Sequence, residues 1–200
     1  MSLKSRRLKE QRTTIGIMCE GETEAQYFKM LKHRYNTPAV TAQKLDIKAV
    51  DKAGTALIKK AAAIAKQHQY VRTYVVFDRD DRSDAEVAKC RKLAQELGMT
   101  MLFSSACFEI WYLLHFEYFE TDYTPKQLYQ CLSQPDYFNQ KYEGTKGKDV
   151  HEYLEDRVGQ AVTNGTRLLE RKPDLVHDRP FTNLAVHLRE MYGLEPEAKL

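Results

Sequence analysis

The sequence has little that would staple, disorder or embed a chain. Its four cysteines, Cys19, Cys90, Cys107 and Cys131, are scattered, with no C-x-x-C spacing and no histidine at metal-site distance. That excludes a disulfide framework and a zinc-finger type of site, and it reads as reduced thiols in a cytoplasm. The six histidines form no motif either. Nine glycines and six prolines are too few for a collagen-like or low-complexity chain, and 42% hydrophobic residues are too many for a disordered one. No apolar run approaches the roughly 20 residues of a membrane-spanning helix. The best, Ile110 to Leu114, is closed by Glu109 and His115. Ile15 to Cys19 is too short for a signal-peptide core, and Glu20 ends it.

Nor does one sign of charge dominate. The net charge is +3, but residues 1–12 carry Lys4, Arg6, Arg7, Lys9 and Arg12 against Glu10, leaving 26 basic and 27 acidic side chains in the rest. A near-neutral body with a basic N-terminal arm excludes a uniformly basic nucleic-acid coat. The arm itself either meets phosphate or is a solvated tail.

What is present is a regular alternation. The run Thr14 to Cys19 is a short apolar strand, broken at Glu20-Gly21. A helix follows, with Thr23 and Gln26 in capping-box spacing, and Asn36-Thr37-Pro38 ends it. Leu45 to Val50 alternates apolar and polar residues as a strand does. Gly54 opens a helix with Leu57, Ile58, Ala61 and Ala65 on one stripe. Thr73 to Phe77 is a β-branched and aromatic strand that stops at Asp78. Ser83 and Glu86 form a second capping box, and Gly98 sits where a C-terminal cap glycine belongs. Met99 to Phe103 is a fourth strand. The expected fold is α/β, a mostly parallel four-stranded sheet flanked by helices and followed by a helical C-terminal half.

The second half is aromatic-rich, with 12 of the 21 aromatic residues between Phe103 and Tyr142. Phe108 to Phe116 and Pro125 to Leu132 read as helices. Asp149 and Glu152 cap another to about Val162, which Asn164-Gly165 breaks, and a last helix runs near Thr182 to Tyr192. The chain divides into a basic arm (1–12), an α/β core (13–106) and a helical extension packed on it (107–200). The aromatic half is also the basis for expecting a homodimer, through an exposed apolar face.

In a parallel sheet, function gathers at the carboxyl ends of the strands. Two acidic clusters fall there. Val75-Val-Phe-Asp78-Arg79-Asp80-Asp81 places two aspartates two apart past a strand; continued in extended form, their side chains share one side. Cys19-Glu20-Gly21-Glu22-Thr23-Glu24 supplies the other half. Each cluster alone also reads as helix-capping acids that complement a helix dipole. Together they are hard oxygen ligands that suit Mg²⁺ or Mn²⁺, because crowded like charges need a counter-ion. The arm, with Lys29, Lys32, His33, Arg34, Lys52, Lys59 and Lys60, offers candidate phosphate contacts.

The stretch E-G-E-T-E after a strand, followed by a strand ending in D-R-D, resembles the Toprim domain of topoisomerases, primases and overcoming-lysogenization-defect nucleases. The fuller pattern C-E-G-E-T-E-A-Q-Y-F, V-F-D-R-D-D and C-F-E-I-W-Y-L-L-H-F resembles the RloB family, Toprim-related chains of bacterial and archaeal defence loci. The resemblance implies a metal-dependent nuclease acting on DNA or RNA, working beside an ATPase encoded nearby. It makes Glu20, Asp78 and Asp80 catalytic, with Glu20 as metal ligand or general base. Those three and Glu24 become the metal ligands for Mg²⁺ or Mn²⁺. Asp81, Glu109 and Lys146 are candidate accessory residues. Glu109, in the F-E-x-W stretch, either closes the acidic rim or caps its helix, and Lys146 either faces a transferring phosphate or is an exposed loop lysine. Two readings from other classes stand beside this one. One is a haloacid-dehalogenase phosphatase, whose V-F-D-x-D motif belongs on a first strand rather than a third. The other is a non-catalytic adaptor on the same scaffold.

Overall fold

A computed structural model describes residues 14–35 and 44–194; the basic arm lies outside the described residues. The sheet is built from β1 (Thr14–Cys19), β2 (Lys44–Ala49), β3 (Arg72–Asp78), β4 (Thr100–Ser105) and β5 (Phe181–Thr182), in the spatial order β2-β1-β3-β4-β5. The first four strands are parallel, and β5 pairs with β4 antiparallel, Ser105 opposite Phe181. The four expected strands are therefore present. The fifth is two residues long and is made by its contact with β4, so no periodicity announces it.

The helices between strands are α1 (Glu22–Tyr35), α2 (Gly54–His68) and α3 (Asp84–Glu96). The side chains of β3 alternate as a pleated strand requires. Tyr74 and Val76 join the larger apolar cluster with Tyr27, Phe28 and Leu31 of α1, whereas Val75 and Phe77 join a second one with Leu57 and Ile58 of α2 and Val87 of α3. So α1 covers one face and α2 with α3 the other. Ser83 closes its capping box with Glu86, its hydroxyl accepting from the Glu86 N–H and the Glu86 carboxylate accepting from the Ser83 N–H. An N-cap of this kind contributes about 1 kcal/mol and fixes where α3 starts.

The second half continues as α4 (Glu109–Leu113), α5 (Pro125–Leu132), α6 (His151–Leu154), α7 (Val158–Arg171) and α8 (Leu184–Tyr192), with short 3₁₀ turns at Tyr142–Gly144 and Glu155–Arg157. It lies against the α1 face, where Trp111, Tyr112, Phe138 and Tyr142 are buried with Tyr27. Each large apolar side chain so buried contributes about 1.5–3 kcal/mol. The break expected at Asn164-Gly165 does not occur, since α7 runs through it to Arg171. A β-carbon on Gly165 would stand 2.7 Å from the Trp111 ring and 3.1 Å from Ala185, so the glycine is there for close packing. The Asn164 amide donates to the Leu114 carbonyl at 2.8 Å, a tertiary partner that replaces the local bond a helix-breaking asparagine makes.

Candidate functional site

The strand order reverses direction between β1 and β3, and it is there that the acidic residues collect. In this topology β1 is followed by a helix on one face and β3 by one on the other, leaving a crevice at their carboxyl ends. Glu20 stands at the end of β1, where its N–H donates to the Val76 carbonyl at 2.9 Å and its own carbonyl accepts from Asp51 at 3.1 Å. Its side chain is thus anchored above the centre of the sheet. Asp78 is the last residue of β3 and is only 8% exposed. Its Oδ2 accepts from the backbone N–H of Phe108 at 3.0 Å, which ties it to the start of α4.

Glu24 lies in the first turn of α1, 6% exposed, with Oε2 accepting from the Gly21 N–H at 3.2 Å. Burial raises its carboxyl to about 7, and the Glu109 and Glu20 carboxylates add to the rise. Burial likewise pushes Asp78 well above the usual aspartate range, with Asp80, Glu24, Glu109 and Glu20 all contributing in the same direction. Five carboxylates from separate points of the sequence therefore act on one another around Asp78. Asp81 is exposed at the tip of the turn and stands apart from this group.

Asp80 reaches the cluster by a different route from the extended one expected. β3 ends at Asp78, and Asp80 takes a left-handed backbone conformation with φ of 46°. The D-R-D segment is a turn, so Asp78 points inward while Asp80 stays 56% exposed at its side chain. Arg79 braces the turn from behind. Its guanidinium donates to Ser105 Oγ at 2.8 Å and to Asp84 Oδ1 at 2.7 Å, and it also reaches the Val176 carbonyl.

Arg82 is the residue that sequence reasoning missed. Its Nη2 donates to Glu20 Oε1 at 2.6 Å, its Nη1 donates to the Asp78 carbonyl at 2.6 Å, and the same nitrogen lies 3.8 Å from Asp80 Oδ2. This guanidinium partly neutralises the cluster, and its bond to Glu20 works against the burial that raises that carboxyl. Glu20 Oε2 remains buried with no hydrogen-bond partner.

Glu109 and Lys146 answer the alternatives left open for them with a pairing. Glu109 is the first residue of α4 and is 2% exposed; its Oε1 accepts from Tyr142 Oη at 2.9 Å and lies 3.3 Å from Lys146 Nζ. Lys146 also donates to Tyr129 Oη at 2.7 Å. Burial works against the charged form of Lys146, but the Glu109 carboxylate and the tyrosine hydroxyl outweigh it and hold the ammonium above its ordinary range. Among the other candidate cations, Lys32 donates to the Leu45 carbonyl of β2 and Arg34 pairs with Asp156, both tying α1 to neighbouring elements.

Among the described residues, no group of three or more His, Cys, Asp or Glu side chains is placed so that it could hold a metal ion. No helix of the described residues is long and apolar enough to cross a membrane. Neither the curated proteins nor the solved structures give a significant match to the chain. A family model described as "RloB-like protein" matches residues 15–191, a span that starts within β1, ends within α8 and includes every carboxylate of the cluster. On that match, the chain belongs to the RloB-like family.

Proposed function

We propose that this RloB-like chain is a metal-dependent nuclease of the Toprim type, which cleaves phosphodiester bonds in DNA or RNA. The observation that carries the reading is the acidic cluster at the carboxyl ends of β1 and β3, where Asp78, Glu24 and Glu109 are buried and Asp78 lies in the field of Asp80, Glu24, Glu109 and Glu20. A fold does not keep so many like charges at one crevice for stability, since each buried unpaired charge costs free energy. A chemical use for them offsets that cost.

The donor chemistry suits Mg²⁺ or Mn²⁺, which prefer carboxylate oxygens and water, but no three of these carboxylates stand together as ligands, so binding would have to draw them in. The buried, unpartnered Oε2 of Glu20 is the oxygen that lacks a ligand. Glu20, Asp78 and Asp80, with Glu24 behind them, would hold the ion. When bound, it would supply an activated water and charge stabilisation for a leaving oxygen. The chain's own part follows from its geometry. Because Arg82 holds Oε1, Glu20 has only Oε2 to give, either to the ion as a ligand or, with the ion left to Asp78, Asp80 and Glu24, to a proton as the general base. Lys146, held at the rim by Glu109 and Tyr129, presents an ammonium to the non-bridging oxygens of the phosphate. The family resemblance extends the proposal to a defence role beside an ATPase subunit, and the scattered thiols to the cytoplasm. The homodimer expected through an exposed apolar face of the aromatic half gains no support, because among the described residues the large exposed hydrophobics are Val71 and Leu97, outside that half.

A second reading is favoured by Arg82. A guanidinium already sits on Glu20, as it would in a non-catalytic adaptor whose acidic site binds metal for stability or serves as a docking surface. Incubating the purified chain with labelled DNA and RNA separates the two. The nuclease reading expects cleavage that requires Mg²⁺ or Mn²⁺ and disappears in Asp78→Asn and Glu20→Gln. Cleavage that survives in both variants would remove this cluster from the chemistry.

A further inference from the structure

The face of the sheet covered by α2 and α3 carries a groove that the acidic site does not explain. Two adjoining cavities, of about 250 and 350 Å³, lie between these helices and share Thr55 and Lys89. The first opens beside the acidic cluster and is lined by Gly54, Thr55, Arg82 and Lys89. The second continues down the helices and is lined by Lys59, Lys89, Lys92 and Leu93. Arg82 joins groove to site: its Nη2 is on Glu20, while its Nε lies 3.4 Å from where a β-carbon on Gly54 would stand. Glycine at that position, with φ of 52°, keeps the mouth open.

The charges are not evenly mixed. Four cations, Arg82, Lys89, Lys59 and Lys92, line the two cavities against two carboxylates, Glu86 and Glu96. Glu86 is already engaged by the Ser83 hydroxyl and amide, and Glu96 lies 3.9 Å from Lys92. Lys59, Lys89 and Lys92 are exposed, and the Lys92–Glu96 contact is solvent-screened, so these ammonium groups can exchange onto an incoming anion. On the opposite face, the cleft between α1 and α6 sets Lys29, His33 and His151 against Asp149 and Glu155 and has no such excess.

We propose that the α2/α3 groove is the seat of a nucleic-acid strand, with Lys92, Lys59 and Lys89 contacting backbone phosphates on a path that ends at Arg82 and the acidic site. The assignment rests on the nuclease reading for what lies at the end of the track, but the groove binds phosphodiester backbone without metal. A row of lysines on helices reads charge and not base sequence, so the contacts position a strand without specifying it.

The test is fluorescence anisotropy with labelled 20-nucleotide single strands and duplexes of DNA and RNA, in EDTA, across a salt series. Each backbone contact steepens the slope of log affinity against log salt by about 0.7 for a single strand and about 0.9 for duplex DNA. The triple variant Lys59→Gln, Lys89→Gln, Lys92→Gln is expected to flatten the slope by about 2 and to weaken binding at 0.1 M salt on the order of a hundredfold. The pair Lys126→Gln, Lys148→Gln, exposed lysines of the helical half outside the groove, is expected to leave the slope unchanged. Thermal melting checks that the surface variants remain folded. A triple variant with the wild-type slope, or a wild-type chain that binds none of the probes, overturns the groove. Salt-sensitive binding through the three lysines, with no cleavage when Mg²⁺ is added, keeps the groove and removes the nuclease reading instead.

Discussion

Glu24→Gln separates the energetic cost of the acidic cluster from its use. Glu24 is buried, and its carboxyl sits at about 7 against an ordinary value of 4.5. A group whose folded value is raised binds more protons folded than unfolded, so its contribution to stability is whole below about 4.5 and is lost as pH rises through about 7. At 1.36 kcal/mol per unit, ionised Glu24 costs the metal-free fold about 3 kcal/mol at pH 8 and under about 1 kcal/mol at pH 5. Glutamine keeps an oxygen for the Gly21 N–H and removes the charge. Its amide hydrogens gain no assured partner, which takes back about 1 kcal/mol. The net expectation is a gain of about 2 kcal/mol at pH 8, or roughly 4–8 °C in Tm for a chain of this size, shrinking to nothing by pH 5. Thermal unfolding followed by circular dichroism in EDTA, at both pH values, reads this directly. A variant that melts at or below the wild type at pH 8, or that gains equally at pH 5, would refute the claim that like-charge crowding and burial strain this site.

Other perturbations follow from the same geometry. Arg82→Gln removes the ion pair with Glu20 and leaves the Asp78 carbonyl without its donor; chemical denaturation of this half-buried pair is expected to show a loss of about 2–4 kcal/mol, and a loss under about 0.5 kcal/mol would contradict the role given to Arg82. Gly165→Ala drives a methyl against Trp111 and Ala185 inside a well-formed helix, where alanine is otherwise the better helix former. It is expected to cost about 1–3 kcal/mol by overpacking, and a stabilised variant would show that the contact yields.

The legible parts of the fold are those whose signal is local. β1, β3 and β4 are apolar runs bounded by polar breaks, and the Ser83-Glu86 box marks the start of α3 to the residue. β5 and the continuity of α7 are not local. Phe181–Thr182 is a strand because β4 lies beside it, and Asn164-Gly165 is helical because Trp111 and Leu114 reward it. The same division runs through the site. Glu20 and Asp78 could be read because a charge at the end of a buried strand is conspicuous. Arg82 was hidden in D-R-D-D-R, a run whose charges all look solvated, and only the turn at Asp80 brings it back over Glu20. Glu109 and Lys146 meet across 37 positions of sequence, a distance no motif spans.

The central claim, that the carboxylates at the ends of β1 and β3 are a divalent-metal site, is met most directly by calorimetric titration of Mg²⁺ and Mn²⁺ into the wild type and an Asp78→Ala, Asp80→Ala double variant. The account predicts saturable binding by the wild type that the double variant loses. Absence of binding in the wild type, or equal binding in both, would contradict it and leave the cluster neutralised by Arg82 and Lys146.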